Sequence, residues 1–494
     1  MNPQYGQHGK AFVLPGLHWP EVVLPPSHVA WLASQPESVL SDDVVQDELL
    51  GLRYFSGGPN AAAVHDFSII RRELTRHLAR VLPAVLDEVK TAVQEGFGDD
   101  TEQWKEVEAF KIMPQVVEKA VERAFVGMPL CRDASHLAGM RRWQVAFSLC
   151  GAIYRYLSPD CLKPVLAPVS AALMALVNWW GFRRALPMIR QRIADLEARE
   201  RFGNTDRRDD HTPEDLLQWL VESNAHKPES QRLSAWHIAN RLAFFELVSV
   251  HTTSSTLGAS LLNILSHPSA SHILAELREE ADTYLPQLTS DPTMVRAMMK
   301  HDSVIRETLR IDTMFAHGMT RRVMPEQGIT TPDGLWLPQG CHVAALVIPP
   351  QQAQFEDGEV WEPFRFYRLA NGVAAAAAAA AADDTRGRCD LVGDIRSEER
   401  IPLLQTPTKQ TTAVQISPSF LSFGLGKHAC PGRFFAVQTM KLILSYMISH
   451  YDFEPLGPEG EGEGEKRYLE ITEVRLPNPN VKIKVQRRTD GRAF

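Results

Sequence analysis

The stretch Phe423-Gly424-Leu425-Gly426-Lys427-His428-Ala429-Cys430-Pro431-Gly432-Arg433 decides how the rest of the 494 residues are read. A long apolar run follows it, through Phe434, Val437, Met440, Leu442, Leu444 and Met447. Gly424 and Gly426 permit a tight loop and close approach of a large ligand, while Pro431 suits the first turn of a helix. Cys430 is therefore expected at a helix N-terminus, where the dipole and unpaired N–H groups favour the thiolate, the form that ligates a metal. Phe423 is placed to cover the sulfur, and His428 to donate to an anionic group of the ligand. The plain alternative is a buried free cysteine in a turn before a core helix, the commoner fate of a lone Cys.

The stretch resembles the haem-binding signature of the cytochromes P-450: F, two residues, G, one residue, R or H, one residue, C, one residue, G. Phe423, Gly426, His428, Cys430 and Gly432 fill every position, and the continuation CPGRFFA is similar to fungal members. The resemblance implies haem b with an axial thiolate from Cys430. A thiolate in that place donates electron density that favours O–O cleavage, a task to which histidine is less suited. The implied fold is mostly α with small β-sheets, the haem lying between a Ser/Thr-rich central helix and the helix of the Cys loop.

That central helix is expected from about Ser234 to Ser266, closed by Pro268. Ile238, Leu242 and Phe245 precede, and Leu257, Leu261, Leu262 and Ile264 follow, at helical spacing. Between them stands Val248-Ser249-Val250-His251-Thr252-Thr253-Ser254-Ser255-Thr256. Hydroxyl side chains compete for backbone hydrogen bonds, so grouping them in a buried helix is costly unless a site uses them. By itself the notch reads as a kink or a packed hydroxyl cluster. In the resemblance it crosses the oxygen-binding face of the haem, Thr252 and Thr253 matching the family's threonine pair, with His251 where most members have Asp or Glu. Protons would then run through water held by Thr252, with His251 as relay, because imidazole titrates near physiological pH.

In His301-Asp302-Ser303-Val304-Ile305-Arg306-Glu307-Thr308-Leu309-Arg310, Glu307 and Arg310 are neighbours on one helix face. Such a pair is ordinarily a surface ion pair of little worth. Here it matches the family's E-x-x-R motif, and Arg365 in WEPFRF matches the arginine that completes a buried Glu-Arg-Arg network. The resemblance makes that network structural, locking the loop that carries Cys430. It also places Arg321 or Arg322 at a haem propionate. Arg71 and Arg72 are further propionate candidates, on a helix expected from His65 to Val93 that also offers a surface for a reductase. The family's Trp-x-x-x-Arg arrangement is absent there. Residues 313–320 are expected to line the substrate pocket. Asp333-Gly334 and Gln339-Gly340 read as β-hairpin turns.

Other stretches bound the answer. AFVL and the Pro/Ser-rich segment to residue 58 read as short strands and turns, Trp104 as the start of a helical run stopped by Gly127 and Pro129. A formal net charge of −8 gives no support to nucleic-acid binding. The six cysteines show no CxxC pair, so all but Cys430 read as reduced thiols in a cytosol-facing protein. No N-terminal apolar span of membrane length occurs, whereas fungal relatives carry an anchor, so the chain is read as one domain over 1–494 with that anchor missing. Residues 165–180 are apolar but short for a span; they read as an interfacial lid helix or as plain core. Residues 202–215 form a charged break. Residues 371–418, with nine alanines from Ala374 to Ala382, read as a low-complexity insertion without function.

The resemblance implies a monooxygenase that inserts one atom of O2 into a small hydrophobic natural product, a terpenoid, indole-diterpene or polyketide, in fungal secondary metabolism. The implied partners are NADPH-cytochrome P-450 reductase, with cytochrome b5 as a second donor, and the cytosolic face of the endoplasmic reticulum membrane. Lacking that anchor, the chain is compatible with a soluble form as well. Two rivals stay open: a reductase-independent haem-thiolate isomerase or dehydratase, and a non-catalytic haem-binding protein.

Overall fold

Local sequence rules set most element ends, and long-range pairing sets the remainder. The structure is a computed structural model describing residues 9–15, 19–51, 67–154, 163–201, 212–372, 411–454, 468–471 and 474–489. The polyalanine run, residues 202–211, Cys161 and Cys389 lie outside the described residues.

The N-terminal segment forms β1 (Phe12–Leu14), β2 (Glu21–Leu24), α1 (Val29–Ser34), β3 (Leu40–Ser41) and α2 (Asp42–Leu50). A five-residue π-turn, Ile70–Leu74, carries Arg71 and Arg72 into α3 (Thr75–Phe97). The helical start expected at Trp104 is corrected: β4 (Lys105–Glu108) comes first, because Lys482–Val485 near the far end of the chain pairs with it. The helix α4 begins at Ala109 and ends at Phe125, followed by Gly127 at φ +68°.

Then follow α5 (Ala134–Ala152), α6 (Lys163–Phe182), α7 (Ala185–Arg201) and α8 (Leu216–Ala225). No helix among the described residues is long and apolar enough to cross a membrane. The central helix α9 runs unbroken from Ala235 to Ser266, its first turn capped by the Ser234 hydroxyl, which accepts from the His237 N–H. The helix continues through the notch, where the hydroxyls of Thr252, Ser254, Thr256 and Ser260 donate to carbonyls of the helix itself.

The chain continues through α10 (Ala270–Tyr284), α11 (Met299–Ile311), β5 (His317–Val323), β6 (Ile329–Thr330), β7 (Trp336–Leu337), β8 (His342–Leu346) and α12 (Ile348–Gln352). Asp333-Gly334 closes the β6–β7 hairpin as expected. Gln339-Gly340 is a turn but no hairpin, because β8 pairs with β2 in parallel and β5 antiparallel instead of with β7. The larger sheet has the order β1-β2-β8-β5-β3. Finally α13 (Arg433–His450) leads to β9 (Tyr451–Phe453), β10 (Tyr468–Ile471), β11 (Val474–Pro477) and β12 (Lys482–Arg487).

A continuous apolar core joins α3, α4, α9, α10, α11 and α13, and a second cluster lies under the larger sheet. Helix α4 packs closely on α9. A Cβ at Gly258 would lie 2.5 Å from Phe110 Cε1. Gly258→Ala is therefore expected to cost about 1–3 kcal/mol through overpacking, and Gly258→Ala combined with Phe110→Leu to recover part of it, as measured by denaturant unfolding.

Candidate cofactor site

Two glycines shape the cysteine loop. Gly424 and Gly426 have φ +67° and +72°, the left-handed region that other residues adopt at a cost. A Cβ on Gly426 would also meet the Ala33 carbonyl of α1 at 2.9 Å. The loop closes on itself: the Cys430 N–H donates to the Phe423 carbonyl at 2.8 Å. Cys430 stands two residues before the N-cap-to-helix step at Gly432, with Pro431 just outside α13 rather than in its first turn.

The N–H groups of Gly432 and Arg433 point at the Cys430 sulfur, and the charges of Arg433 and Arg71 also favour the thiolate. Burial outweighs them and pushes the Cys430 thiol above its ordinary range. The helix-end N–H groups thus favour the thiolate as expected, and a metal bond offsets what burial costs. Arg433 Nη1 donates to the Cys430 carbonyl at 2.8 Å and its Nε to Val414 at 3.1 Å, so this side chain pins both ends of the loop.

Cations gather beside the loop. Arg71 Nη2 donates to the Lys427 carbonyl at 2.6 Å, whereas Arg72, among the described residues, turns to Ser68 on its own helix. His428 Nε2 lies 2.6 Å from Glu37 and its Nδ1 3.3 Å from Asp42. Arg321 Nη1 donates to the same Asp42 at 2.6 Å, while Arg322 turns to Glu48. Burial would raise the Asp42 carboxyl, but the hydrogen bond from His428 and the charge of Arg321 hold it below the usual carboxylate range. Of each arginine pair, then, Arg71 and Arg321 join the loop and its histidine.

On α9, Val248, His251 and Thr252 are exposed and share one helix face, being three and four residues apart. The surrounding protein nevertheless pulls the His251 pKa down by desolvation. Thr253 is corrected: at 5% exposed it packs into the core, off that face. The Thr252 hydroxyl donates to the Val248 carbonyl at 2.8 Å, leaving its lone pairs to accept.

The network under the loop is wider than expected. Arg310 clasps Glu307 with two bonds of 2.8 Å, and Arg365 Nε and the Glu362 N–H each reach Glu307 Oε1 at 3.0 Å. Arg365 also forks onto Asp357, at 2.6 and 3.0 Å. The link to the cysteine loop is made by residues the sequence did not single out. Gln351 donates to the Arg310 carbonyl at 3.2 Å and accepts from the Leu421 N–H at 3.1 Å, while Ser422 Oγ donates to Leu309 at 2.7 Å. Asp302 accepts from the Ala413 N–H at 2.6 Å, and Arg306 bonds the Thr412 and Gln415 carbonyls and lies 4.0 Å over Phe420. Residues 411–418 are therefore bound to α11 and are not the tail of an insertion. The i,i+4 pair Asp302 and Arg306 was the available signal; Glu37, Asp42, Gln351 and Ser422 carried none.

These residues fit a haem. A Cβ at Gly432, whose φ of −87° any residue adopts, would meet no other protein atom within 4 Å, so a ligand's approach rather than the protein's own packing calls for glycine there. Sulfur, a bare backbone, flanking cations and an open hydroxyl-bearing face form one donor set of the required kind.

The family model described as Cytochrome P450 matches residues 173–485. The chain is similar to Cytochrome P450 monooxygenase lnaC of Aspergillus flavus, 28% identical over 98% of this chain and 86% of that protein. It is likewise similar to Cytochrome P450 monooxygenase polB of Polytolypa hystricis, 27% identical over 99% of this chain and 88% of that one. Cytochrome P450 monooxygenase astC of Aspergillus terreus is 28% identical, over 98% of this chain and 86% of its own length.

Proposed function

Because the chain belongs to the cytochrome P450 family, whose cofactor is haem held by a cysteine thiolate, we propose that it is a monooxygenase of a small hydrophobic fungal natural product. The terpenoid, indole-diterpene and polyketide classes are the substrates proposed, with electrons from NADPH through a separate flavoprotein reductase. When bound, the haem supplies activation of O2. The observation that carries the reading is the cysteine loop, with Cys430 under the bare backbone of Gly432 and α13 packed against α9.

The residues divide the work. Cys430 is the proposed ligand, held by the Gly432 and Arg433 N–H groups; Arg71, Arg321 and His428 are the proposed partners of the propionates. Val248 offers an apolar contact beside Thr252, whose free lone pairs hold a water. His251, kept neutral by its surroundings, can take a proton at one nitrogen and release it from the other. Thr252→Ala is expected to reduce product formed per NADPH oxidised by about 10²-fold with substrate binding retained, as read from product yield and the substrate-induced spectral shift.

The whole chain is proposed to act as one domain. Exposed Arg71, Arg72 and Lys427 support docking of an acidic reductase beside the loop, and cytochrome b5 is the proposed second donor. Val169, Leu173, Leu176, Trp179 and Trp180 on α6 are all more than half exposed, which supports seating on the endoplasmic reticulum surface. The experiment combines the haem-loaded protein, NADPH, a fungal reductase, ¹⁸O2 and a panel of the three substrate classes. A product carrying one labelled oxygen is expected; rearranged or dehydrated product made without NADPH would establish the isomerase or dehydratase instead.

A further inference from the structure

Away from the cysteine loop, ionisable side chains are buried together where α4, α5 and α9 meet. Glu122, His136 and Glu246 are each no more than 2% exposed. His136 Nε2 lies 3.1 Å from Glu122 Oε2, and Gln144 Nε2 donates to Glu246 Oε1 at 2.9 Å. The Glu122 and Glu246 carboxyls face the same cavity, within hydrogen-bond reach of each other. Beside them is a cavity of about 20 Å³ whose other walls include Met140, Phe182 and Leu242. That is room for one water, with three polar groups to hold it.

Two buried carboxylates this close repel when both are ionised, whereas one acid and one carboxylate can share a proton. Charge balance agrees: an imidazolium at His136 neutralises one buried carboxylate, and a second would stand unpaired. We propose that Glu246 is a neutral acid at physiological pH that donates its proton to Glu122, and that this His136–Glu122–Glu246 chain is an alkaline-sensitive latch pinning the helix of His251 and Thr252 to α4 and α5.

The electrostatics support this assignment. Burial, then the charge of Glu122, pushes Glu246 well above the carboxyl range. Burial disfavours charge on Glu122 and on His136 too, yet their mutual attraction wins, holding Glu122 low and His136 high. The other charges facing the chain are Glu118, from α4, and Asp133, ahead of α5. Burial pushes Glu118 up to about 7, even with Arg141 Nη1 at 2.5 Å. From α6 and α7 the cavity receives only Phe182 and Ala185.

The sign follows from proton counting. Above the ordinary carboxyl range the folded protein keeps the Glu246 proton that the unfolded chain releases, so stability falls as pH rises toward the folded value. The raised His136 acts the same way: its contribution is full below the ordinary imidazole range and is lost as pH rises through the folded value. Glu122 acts oppositely, its contribution being lost in acid. The alkaline loss therefore belongs to Glu246 and His136.

The test uses the haem-loaded protein. At about pH 7 the infrared spectrum should contain a protonated-carboxyl band that is missing from Glu246→Gln and from Glu122→Gln, where an amide replaces the shared proton. The wild-type melting temperature should fall from about pH 7 to about pH 9, and less steeply in either variant. A wild-type-minus-variant spectrum without the band, or parallel melting profiles, overturns the proposal. One folded variant suffices for both readouts. Should neither fold, Glu118→Gln, which removes the other raised carboxyl facing the chain, is measured instead: no protonated-carboxyl band at neutral pH overturns the proposal, and a band that disappears as the pH is raised toward the alkaline loss of stability supports it.

Discussion

Glu307→Ala is expected to destabilise the protein by about 3–5 kcal/mol, because it strips the shared anion from two buried guanidiniums. Glu307 and Arg310 are both 0% exposed and Arg365 8%. Each arginine has further acceptors, the carbonyls of Gly358 and Val360 for Arg310 and the Asp357 carboxylate for Arg365. Both also donate to the Val360 carbonyl, but among the described residues Glu307 is the one anion they share, and it accepts the Glu362 N–H as well. Its loss should also loosen the cysteine loop, since Gln351 and Ser422 hang that loop from the carbonyls of Leu309 and Arg310. Denaturant unfolding measures the first effect and haem retained per protein the second. Asp357→Asn is the control: its side chain is 56% exposed, and such a pair contributes less than about 1 kcal/mol. Equal losses in the two variants would contradict the assignment of Glu307 as the buried hub.

What could be read in advance was local. Ser234 before an apolar period gave the start of α9 to the residue, and Glu307 with Arg310 needed only helical spacing. The glycines of the cysteine loop were similarly direct, since Gly424 and Gly426 occupy conformations that few other residues adopt. Misreadings arose where distant chain decided. Lys105–Glu108 is a strand because residues 482–485 lie beside it, and Gln339-Gly340 opens no hairpin because β8 finds β2 and β5. Asp302 holds Ala413 across 111 residues of sequence, so nothing near either residue marks the contact. The pull of the helix end on Cys430 was visible in sequence, whereas the burial that opposes it exists only after folding. Thr253 shows the limit of motif matching: adjacent threonines on a helix point about 100° apart, and only Thr252 reaches the open face.

Cys430→Ala should have the largest effect on function, removing the one sulfur aimed by two backbone N–H groups beneath an unfilled glycine. Among the described residues no other cysteine can substitute, because Cys131, Cys150 and Cys341 lie elsewhere in the fold, away from the loop. The fold should persist, because the alanine keeps the N–H that bonds Phe423. The decisive measurement is the absorption spectrum of the dithionite-reduced, carbon monoxide-bound protein beside that of Cys430→Ala. A red-shifted Soret band in the parent and its absence from the folded variant is the expected result; a parent that binds no haem, or gives a histidine-type spectrum, would contradict thiolate ligation by Cys430.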